Sequence, residues 1–354
     1  MSKFFSEKFN KLTPYVPGEQ PKERQYIKLN TNESPYPPSK KAVEYAEKQS
    51  KMVMLYSDPD QKALTEAVAK ELGVGADCVI MTNGSDEVLN FAFMAYCDDS
   101  HPAVFADITY GFYKVFASVN NVPYKTIPLR EDFSIDIEEY LNEQGTIFIA
   151  NPNAPTGLTI PLSDIRRLLE KNPNRMVIID EAYVDFGGES AVSLVGEYDN
   201  LLVTQTFSKS RSMAGARLGM GIANPQVIRD LNTLKYSLNP YNVNRMTAGA
   251  GIGAIEDRDY FVKNVNEIIK TREQTAKELE SLGFSMTLSK ANFLFIKHDK
   301  IGGEELYLKL KEKGVLVRHF NDPKIVEYNR VTVGSPTQMQ AFISAVKEIL
   351  EELL

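Results

Sequence analysis

The chain alternates short apolar runs with helical patterns over its first two thirds. The apolar runs contain no interspersed polar residues and occur at positions 79–81, 103–105, 147–149, 176–179 and 201–203. Uninterrupted runs of this length are typical of strands that are buried on both faces of a mostly parallel sheet. The pattern therefore predicts an α/β fold, with a mostly parallel central sheet flanked by helices.

Three helices are predicted between these runs. The first is expected to begin at Asp58-Pro59, an N-cap followed by proline, and to end at Gly73, with apolar residues at every fourth position. The second follows the turn at 83–85, and the third starts near Ser163. This spacing of helices and strands supports the α/β assignment.

Beyond Pro240 the pattern changes. A long charged helix is predicted at about 257–282, followed by an apolar strand at 293–296 and a helix around 306–310. Two short strands and a final amphipathic helix complete the chain. This second arrangement is that of a smaller α+β domain.

A chain of 354 residues is long enough for its core to split into two domains. We expect a large domain over residues 41–245 and a small C-terminal domain over residues 246–354. Residues 1–40 are rich in Pro, Tyr and Lys, and they predict an N-terminal arm that also contributes to the small domain.

Charge and composition exclude several classes of function. The chain has 40 Lys and Arg against 47 Asp and Glu, and this net charge of −7 gives no field that attracts nucleic acid. Cys78 and Cys97 lie in segments that predict a buried strand and a helix, where free cysteines act as small apolar residues. With only three histidines, the chain lacks clustered zinc ligands, and it offers little for Ser-His-Asp or Cys-His catalysis.

No segment has the pattern of a membrane span. The longest apolar stretches, such as 91–97, are far shorter than the roughly 18 to 20 residues that cross a bilayer. Residues 1–11 mix charged residues with phenylalanine and lack the apolar segment of a signal peptide. We therefore expect a cytoplasmic protein without membrane contact.

The candidate chemistry lies where two of the predicted strands end. Asp180 closes the run 176–179, and Lys209 follows the run 201–203. Because ligands bind at the carboxyl ends of parallel strands, both side chains are expected in one crevice. A lysine there can form a Schiff base, and a carboxylate can keep a pyridine nitrogen protonated.

Groups that bind phosphate are predicted around the same crevice. Arg217 lies eight residues beyond Lys209 among small residues, and its guanidinium group suits the geometry of a phosphate. The turn at 83–86 leads from a strand directly into a helix, which presents free N–H groups to an anion. Together with the Ser208 hydroxyl, these groups predict a phosphate-binding site.

Four motifs resemble, in order and spacing, those of fold type I pyridoxal-phosphate aminotransferases of class II. They are Asn-Ala-Pro-Thr-Gly at 153–157, Asp-Glu-Ala-Tyr at 180–183, Ser-Lys at 208–209 and the arginine at 217. Within that group, further segments resemble the histidinol-phosphate aminotransferases: 12–15, 29–33, 56–59, 83–87 and 330–334. The resemblance covers nearly the whole chain and implies pyridoxal 5′-phosphate as the cofactor.

The resemblance implies three catalytic residues and a set of cofactor contacts. Lys209 would hold the cofactor covalently, Asp180 would pair with the ring nitrogen, and Tyr183 would bond the phenolic oxygen. Tyr110 would stack on the ring face. Tyr56 would reach the cofactor phosphate from a partner subunit, which implies a homodimer. The remaining phosphate contacts would be Gly84, Ser85, Asp86, Ser208 and Arg217.

One position departs from the family pattern. The family commonly has an asparagine immediately before Pro-Thr-Gly that bonds the phenolic oxygen of the cofactor, and Ala154 stands here instead. Either the neighbouring Asn153 reaches the cofactor, or Tyr183 acts alone. The sequence leaves both alternatives open.

Two arginines are candidates for binding the substrate. By resemblance, Arg330 lies where aminotransferases of this group hold the acidic end of the substrate, and Arg318 is predicted on a neighbouring short strand. Two converging arginines suit a dianionic phosphate better than a single carboxylate, although two solvated charges are the alternative. The resemblance adds four further residues around the substrate: Tyr15, Asn32, Asn83 and Tyr241.

The resemblance implies transamination of histidinol phosphate with 2-oxoglutarate, giving imidazole acetol phosphate and glutamate in histidine biosynthesis. An aromatic aminotransferase and a threonine-phosphate decarboxylase are alternatives, because both use the same cofactor on the same fold. A non-catalytic protein that binds pyridoxal phosphate is a more remote one. A protein that only stores the cofactor would not need an arginine that binds a substrate.

Overall fold

The computed structural model describes residues 2–10, 12–21 and 23–353. Its strands, in chain order, are β1 (Ile27–Lys28), β2 (Val79–Thr82), β3 (Ala103–Ala106), β4 (Tyr124–Ile127), β5 (Thr146–Ala150), β6 (Val177–Asp180), β7 (Leu201–Thr206), β8 (Gly219–Ala223), β9 (Phe284–Met286), β10 (Phe293–His298), β11 (Val315–Leu316), β12 (Arg318–His319) and β13 (Asn329–Thr332).

The α-helices are α1 (Lys40–Ser50), α2 (Lys62–Leu72), α3 (Ser85–Tyr96), α4 (Phe112–Val119), α5 (Ile137–Leu141), α6 (Leu162–Lys171), α7 (Pro225–Leu238), α8 (Arg245–Glu256), α9 (Arg258–Ser281), α10 (Gly303–Glu312) and α11 (Pro336–Glu351). Short 3₁₀ turns occupy Glu7–Phe9, Ala76–Cys78, Val184–Phe186, Ala191–Leu194 and Ala214–Ala216. Among the residues that the structure describes, no helix combines the length and the apolar character that a membrane crossing requires.

A seven-stranded sheet forms the centre of the fold, with the strand order β2-β8-β7-β6-β5-β3-β4. β3 to β7 run parallel to one another, whereas β8 runs antiparallel to its neighbours β2 and β7. This confirms the predicted α/β fold with its mostly parallel sheet. The strand order also gathers the carboxyl ends of β2, β5, β6 and β7 along one edge, where a crevice can form.

Two apolar layers cover the faces of this sheet. Along β6, Val177 and Ile179 belong to the layer formed with α2, α6 and α8, whereas Ile178 belongs to the layer formed with α3, α4 and α7. All four residues of β6 are buried. Burial on both faces explains why the strand has no polar alternation, because each large apolar side chain stabilises the fold by about 1.5 to 3 kcal/mol when buried.

A four-stranded antiparallel sheet, β12-β13-β10-β9, forms a second core with α9, α10 and α11. β1 pairs in parallel with β11, so this part of the N-terminal arm attaches to the second part of the fold. α8 packs against α1 and α2, beside the large sheet. The expected domain boundary between residues 245 and 246 stays a prediction.

Two details of the predicted elements are wrong. The helix expected from Asp58-Pro59 begins at Lys62, because the Asp58 carboxylate accepts hydrogen bonds from the Asp60 and Lys62 N–H groups and holds a separate turn. Cys78 lies at the end of a 3₁₀ turn rather than in a buried strand, and it is only partly buried. Cys97 is buried at the end of α3.

Candidate active site

An inner cavity of about 130 Å³ lies at the carboxyl ends of the central strands. Most of the residues predicted to contact the cofactor line it, and they come from the ends of β6 and β7, the start of α3 and the loops between them. The lining includes Ser85, Asp86, Tyr110, Ala154, Asp180, Tyr183, Ser208, Lys209 and Arg217. The fold therefore brings these residues together from distant parts of the sequence.

Asp180 ends β6 and is held by three hydrogen-bond donors. Tyr113 Oη donates to its Oδ2 at 2.9 Å, while Thr204 Oγ1 and the Ala182 N–H donate to its Oδ1 at 3.3 Å. Burial raises the pKa of this carboxyl to about 6, and the bond from Tyr113 opposes the rise. Asp180 is therefore ionised above pH 6, with its orientation fixed by its neighbours.

The start of α3 forms the cationic end of the inner cavity. Gly84 precedes the helix with φ of 82°, and no side chain in the described ranges caps α3, so its first N–H groups are left for a ligand. A Cβ at Gly84 would lie 2.8 Å from Arg217 Nη2. A Cβ at Gly219, where β8 begins, would lie 2.2 Å from the Ser85 nitrogen. Because neither glycine has a side chain, Arg217 can lie close to Gly84, and the start of α3 can lie close to the start of β8.

Arg217 connects the helix to the loop after β7. Its Nη2 lies 3.0 Å from Asp86 Oδ2, and its Nη1 donates to Ser208 Oγ at 3.4 Å. Ser208 Oγ also accepts a hydrogen bond from Thr206 Oγ1 at 2.9 Å. Tyr110 Oη donates to Asp86 Oδ1 at 2.7 Å. A guanidinium, a hydroxyl and a helix N-terminus thus converge on one end of the cavity.

Lys209 lines both the inner cavity and a second, outer cavity. Its Nζ makes a long hydrogen bond of 3.4 Å to the Thr31 carbonyl and lies 5.8 Å from the centroid of the Tyr183 ring. The Tyr183 ring packs edge-on against Phe293 at 5.1 Å. Its hydroxyl accepts a hydrogen bond from Asn32 Nδ2 at 2.8 Å. The amine is thus held near Tyr183 by contacts that a ligand can replace.

Asn153 does not reach the cavity as the sequence analysis allowed. Its Nδ2 donates to the Ile108 carbonyl at 3.0 Å and to Thr156 Oγ1 at 3.2 Å, and its Oδ1 accepts from Thr109 Oγ1 at 2.7 Å. The side chain is 1% exposed. Asn153 therefore stabilises its own loop, and Ala154 lines the cavity in its place.

The outer cavity, of about 350 Å³, lies between the central sheet and the second sheet. Arg318 on β12 and Arg330 on β13 are directly opposite each other in the antiparallel register, and both line this cavity. Like charges at opposite positions destabilise a sheet. An anionic group between the two guanidinium groups would offset this repulsion.

The surroundings of Arg330 are largely apolar. Its guanidinium carbon lies 5.3 Å from the Phe293 ring centroid and 5.8 Å from that of Phe320. Its Nη2 donates to the Asn30 carbonyl at 3.3 Å, and its buried Nε has no partner among the residues described. Burial lowers the pKa of this guanidinium, and the charge of Arg318 adds to the effect. A bound anion would offset both the burial of this charge and its repulsion from Arg318.

The N-terminal arm covers one side of the outer cavity. Arg318 Nη1 donates to the Pro17 carbonyl at 3.4 Å, and its Nη2 donates to the Val16 carbonyl at 3.3 Å. The Tyr15 ring lies 4.4 Å from that of Phe112, and Tyr15 lines the cavity. Asn32 also lines it. Tyr15, Asn32, Arg318 and Arg330 therefore line the same cavity.

Besides Gly84 and Asn153, three of the predicted residues lie outside the lining of both cavities. Tyr56 is 78% exposed, and its ring stacks on that of Tyr241 at 4.4 Å. Asn83 is exposed, and its N–H donates to Glu87 Oε2 at 2.7 Å. Within one subunit, these side chains are not brought to the cofactor or to the substrate arginines.

The sequence analysis missed Tyr113 and Thr204, the side chains that hold Asp180. Tyr113 lies in the first turn of α4, three positions after Tyr110, and its closeness in sequence to a predicted cofactor contact was the available signal. Thr204 is opposite Asp180 in the register of β6 and β7. That pairing depends on strand order, and the sequence did not give the strand order.

The inner cavity combines a carboxylate, a lysine amine and a cationic end that holds a guanidinium and a helix N-terminus. Pyridoxal 5′-phosphate carries matching groups, which are a basic ring nitrogen, an aldehyde and a phosphate. The residues present therefore fit this cofactor. The sequence also matches the aminotransferase class I and II family over residues 24–346. The chain belongs to this family. The prediction of an aminotransferase that uses pyridoxal phosphate is thereby confirmed.

Relatives of this aminotransferase are similar over their full length. A histidinol-phosphate aminotransferase of Brachyspira hyodysenteriae is 48% identical over 99% of this chain and 100% of the relative. One from Clostridium botulinum is 46% identical over 100% of both chains. The crystal structure of histidinol-phosphate aminotransferase from Sinorhizobium meliloti in complex with pyridoxal-5′-phosphate has a TM-score of 0.90 at 20% identity, covering 100% of this chain and 99% of that one. This last similarity confirms the fold.

Glu181 makes the stability of the aminotransferase depend on pH. The side chain is 2% exposed and accepts hydrogen bonds from Ser190 Oγ, the Ala191 N–H and Gln205 Nε2. Burial raises its pKa from 4.5 to about 7. Because the folded state binds this proton more tightly than the unfolded state, the contribution to stability is complete below pH 4.5 and is lost as the pH rises through 7.

We expect Glu181→Gln to remove this loss, because an amide cannot ionise. The variant should gain about 3 kcal/mol relative to the natural protein between pH 4.5 and pH 8. Urea unfolding of both proteins at the two pH values measures this difference, and Glu131→Gln is the exposed control. An equal difference in unfolding free energy at both pH values would contradict the prediction.

Proposed function

We propose that this aminotransferase transfers the amino group of histidinol phosphate to 2-oxoglutarate, giving imidazole acetol phosphate and glutamate in histidine biosynthesis. The observation that carries the proposal is the cross-strand pair of Arg318 and Arg330 in the outer cavity. Among the residues that the structure describes, neither guanidinium has a carboxylate partner, and such a pair suits a phosphate dianion. The full-length similarity to histidinol-phosphate aminotransferases supports the same substrate.

In this proposal the inner cavity holds pyridoxal 5′-phosphate. Arg217, Ser208 and the N–H groups of Ser85 and Asp86 bind its phosphate, because the helix N-terminus and the guanidinium both favour an anion. Gly84 leaves the space for this contact. The Tyr110 ring lines the same cavity and is placed to cover the face of the cofactor ring.

When bound, the cofactor supplies an aldehyde carbon and an electron-withdrawing ring. Asp180 holds the proton of the ring nitrogen, and its bonds from Tyr113 and Thr204 keep the carboxylate aimed at one place. Tyr183 hydrogen-bonds the phenolic oxygen. Lys209 Nζ would hold the cofactor covalently, and its free amine would take a proton from the amine-bearing carbon of the substrate.

Substrate binding uses the outer cavity. Arg330 binds the acidic group of each substrate in turn, the phosphate of histidinol phosphate and a carboxylate of 2-oxoglutarate. Arg318 adds a second cation for the phosphate, and the carbonyls of Val16 and Pro17 orient it. Tyr15 and Asn32 lie beside the bound substrate, and the arm excludes water from it.

The proposal is tested by following the absorbance of the purified holoenzyme while candidate amines are added separately. We expect conversion of the bound cofactor to its amine form to be fastest with histidinol phosphate and to be reversed by 2-oxoglutarate. Faster conversion with phenylalanine would indicate an aromatic aminotransferase. Release of carbon dioxide from phosphothreonine would indicate a decarboxylase, and no spectral change with any amine would indicate a binding protein.

We also infer a homodimer in which Tyr56 and Tyr241 lie at the interface. Five consecutive apolar residues, 52–56, are exposed after α1, with values from 41% for Met52 to 78% for Tyr56. An apolar surface of this kind on a folded chain usually marks an interaction site. Tyr56 would reach the phosphate site of the partner subunit, and Asn83 and Tyr241 would complete the substrate site. A cytoplasmic location stays part of this proposal.

Met54→Glu should convert the dimer to a monomer and weaken cofactor binding, because it places a charge in the apolar surface of both subunits. Sedimentation velocity with and without pyridoxal phosphate measures both effects. Leu288→Glu is the matched control, since Leu288 is 82% exposed and lies outside residues 52–56. A Met54→Glu protein that stays dimeric would contradict the proposed interface.

A further inference from the structure

Asn32 lines the outer cavity and contacts Tyr183, which lines both cavities. Its backbone has φ of 56°, in the left-handed region, and the residue is 1% exposed. Its N–H donates to Thr332 Oγ1 at 2.9 Å, and its carbonyl accepts from Asn292 Nδ2 at 3.0 Å. These bonds hold a backbone conformation that is seldom adopted by residues other than glycine.

The hydrogen bonds of the Asn32 side chain have a fixed direction. Thr332 Oγ1 accepts from the Asn32 N–H, so its own proton is available to donate to Asn32 Oδ1, at 3.1 Å. This turns Asn32 Nδ2 toward Tyr183 Oη, at 2.8 Å. An amide NH₂ group can only donate, so the Tyr183 oxygen must accept this bond.

The proton of the Tyr183 hydroxyl must therefore point elsewhere. In the described parts of the chain, no acceptor within hydrogen-bonding distance takes it, and the charged groups that face Tyr183 are the cations Lys209 and Arg330. The remaining directions are the inner and the outer cavity, both of which Tyr183 lines, and the inner cavity is the one that would hold the cofactor. Ala154 belongs to the small apolar cluster against which Tyr183 packs, and its side chain also lines the inner cavity but cannot donate.

We propose that Asn32, held by Thr332, is a positioning residue that makes Tyr183 donate its proton to the phenolic oxygen of bound pyridoxal phosphate. The inference rests on the proposed function, because it requires the cofactor in the inner cavity. A donated proton stabilises negative charge on the phenolic oxygen. It thereby lowers the pH at which the nitrogen shared by Lys209 and the cofactor loses its proton. Tyr183 would supply this hydrogen bond alone, because position 154 is an alanine and not an asparagine.

The experiment uses the holoenzyme and records the pH midpoint of the change in cofactor absorbance. Asn32→Asp reverses the direction of the bond, because a carboxylate accepts the Tyr183 proton. We expect its midpoint to rise by roughly one pH unit, as in Tyr183→Phe. The double variant should show no further rise. An unchanged midpoint, or an equal rise in the Tyr183→Phe background, would overturn the proposal.

A second pair of variants tests the hydrogen bonds from Thr332 through Asn32 to Tyr183 without adding charge. Thr332→Val removes the hydroxyl that orients Asn32 and should raise the midpoint, whereas Thr332→Ser keeps the hydroxyl and should leave it in place. This pair decides the question if Asn32→Asp does not fold, and equal midpoints for the two variants would overturn the proposal. If the natural protein binds no pyridoxal phosphate, the proposed function itself fails, which is a separate result.

Discussion

Replacing Lys209 with alanine is expected to lower transamination by at least about four orders of magnitude, the upper range for the loss of a general acid–base group. Lys209 lines both the inner and the outer cavity, so its amine is placed between the cofactor and the substrate. The variant loses both the covalent anchor and the group that moves the substrate proton. Cofactor affinity should fall far less, because Arg217, Ser208 and the start of α3 still bind the phosphate.

The rate of a single turnover, measured with saturating pyridoxal phosphate, separates this loss from weak cofactor binding. Lys235→Met is the control, because Lys235 is a buried lysine that bonds the Pro59 carbonyl outside both cavities. We expect this control to be less stable and normally active. Activity of Lys209→Ala within tenfold of the natural protein would contradict the role of Lys209.

The strands that could be predicted from the sequence are those buried on both faces. The runs at 79–81, 103–105, 147–149 and 201–203 lie in strands of the central sheet, and the run 176–179 lies in β6 except for Met176, which precedes the strand. β4 and β8 gave no such pattern. β4 lies at the edge with its first residues exposed, and β8 contains two glycines that admit Ser85 and Val88 close to its backbone. Their formation depends on neighbours that are remote in sequence.

The same distinction applies to the candidate site. Asp180 and Lys209 could be predicted because each follows an apolar strand, and parallel strands end at one edge. Asn153 could not be placed, because its orientation depends on bonds to Ile108 and Thr109 in another loop. The contact between Asn32 and Tyr183 joins residues 151 positions apart. Side-chain contacts of this kind follow from tertiary packing, which motif spacing does not specify.

Arg330→Ala is expected to lower kcat/KM for both histidinol phosphate and 2-oxoglutarate by roughly 100-fold, since a charge-assisted bond contributes about 1.5 to 3 kcal/mol. Arg318→Ala should lower it about tenfold, and for histidinol phosphate alone. The difference follows from the structure: Arg330 is the more buried of the two and packs between Phe293 and Phe320, whereas Arg318 is bound to the arm. Loss of the buried cation should weaken substrate binding more, because water in a buried site compensates poorly for a missing charge.

Steady-state kinetics with each substrate varied in turn measure both effects, and Arg229→Ala on α7 is the control outside the two cavities. Equal losses for both substrates in Arg318→Ala would mean that Arg318 does not distinguish a phosphate from a carboxylate. The assignment of a phosphorylated substrate would then rest on similarity to relatives alone. A selective loss would instead tie substrate choice to the cross-strand arginine pair, because the two variants differ in which member of that pair they remove.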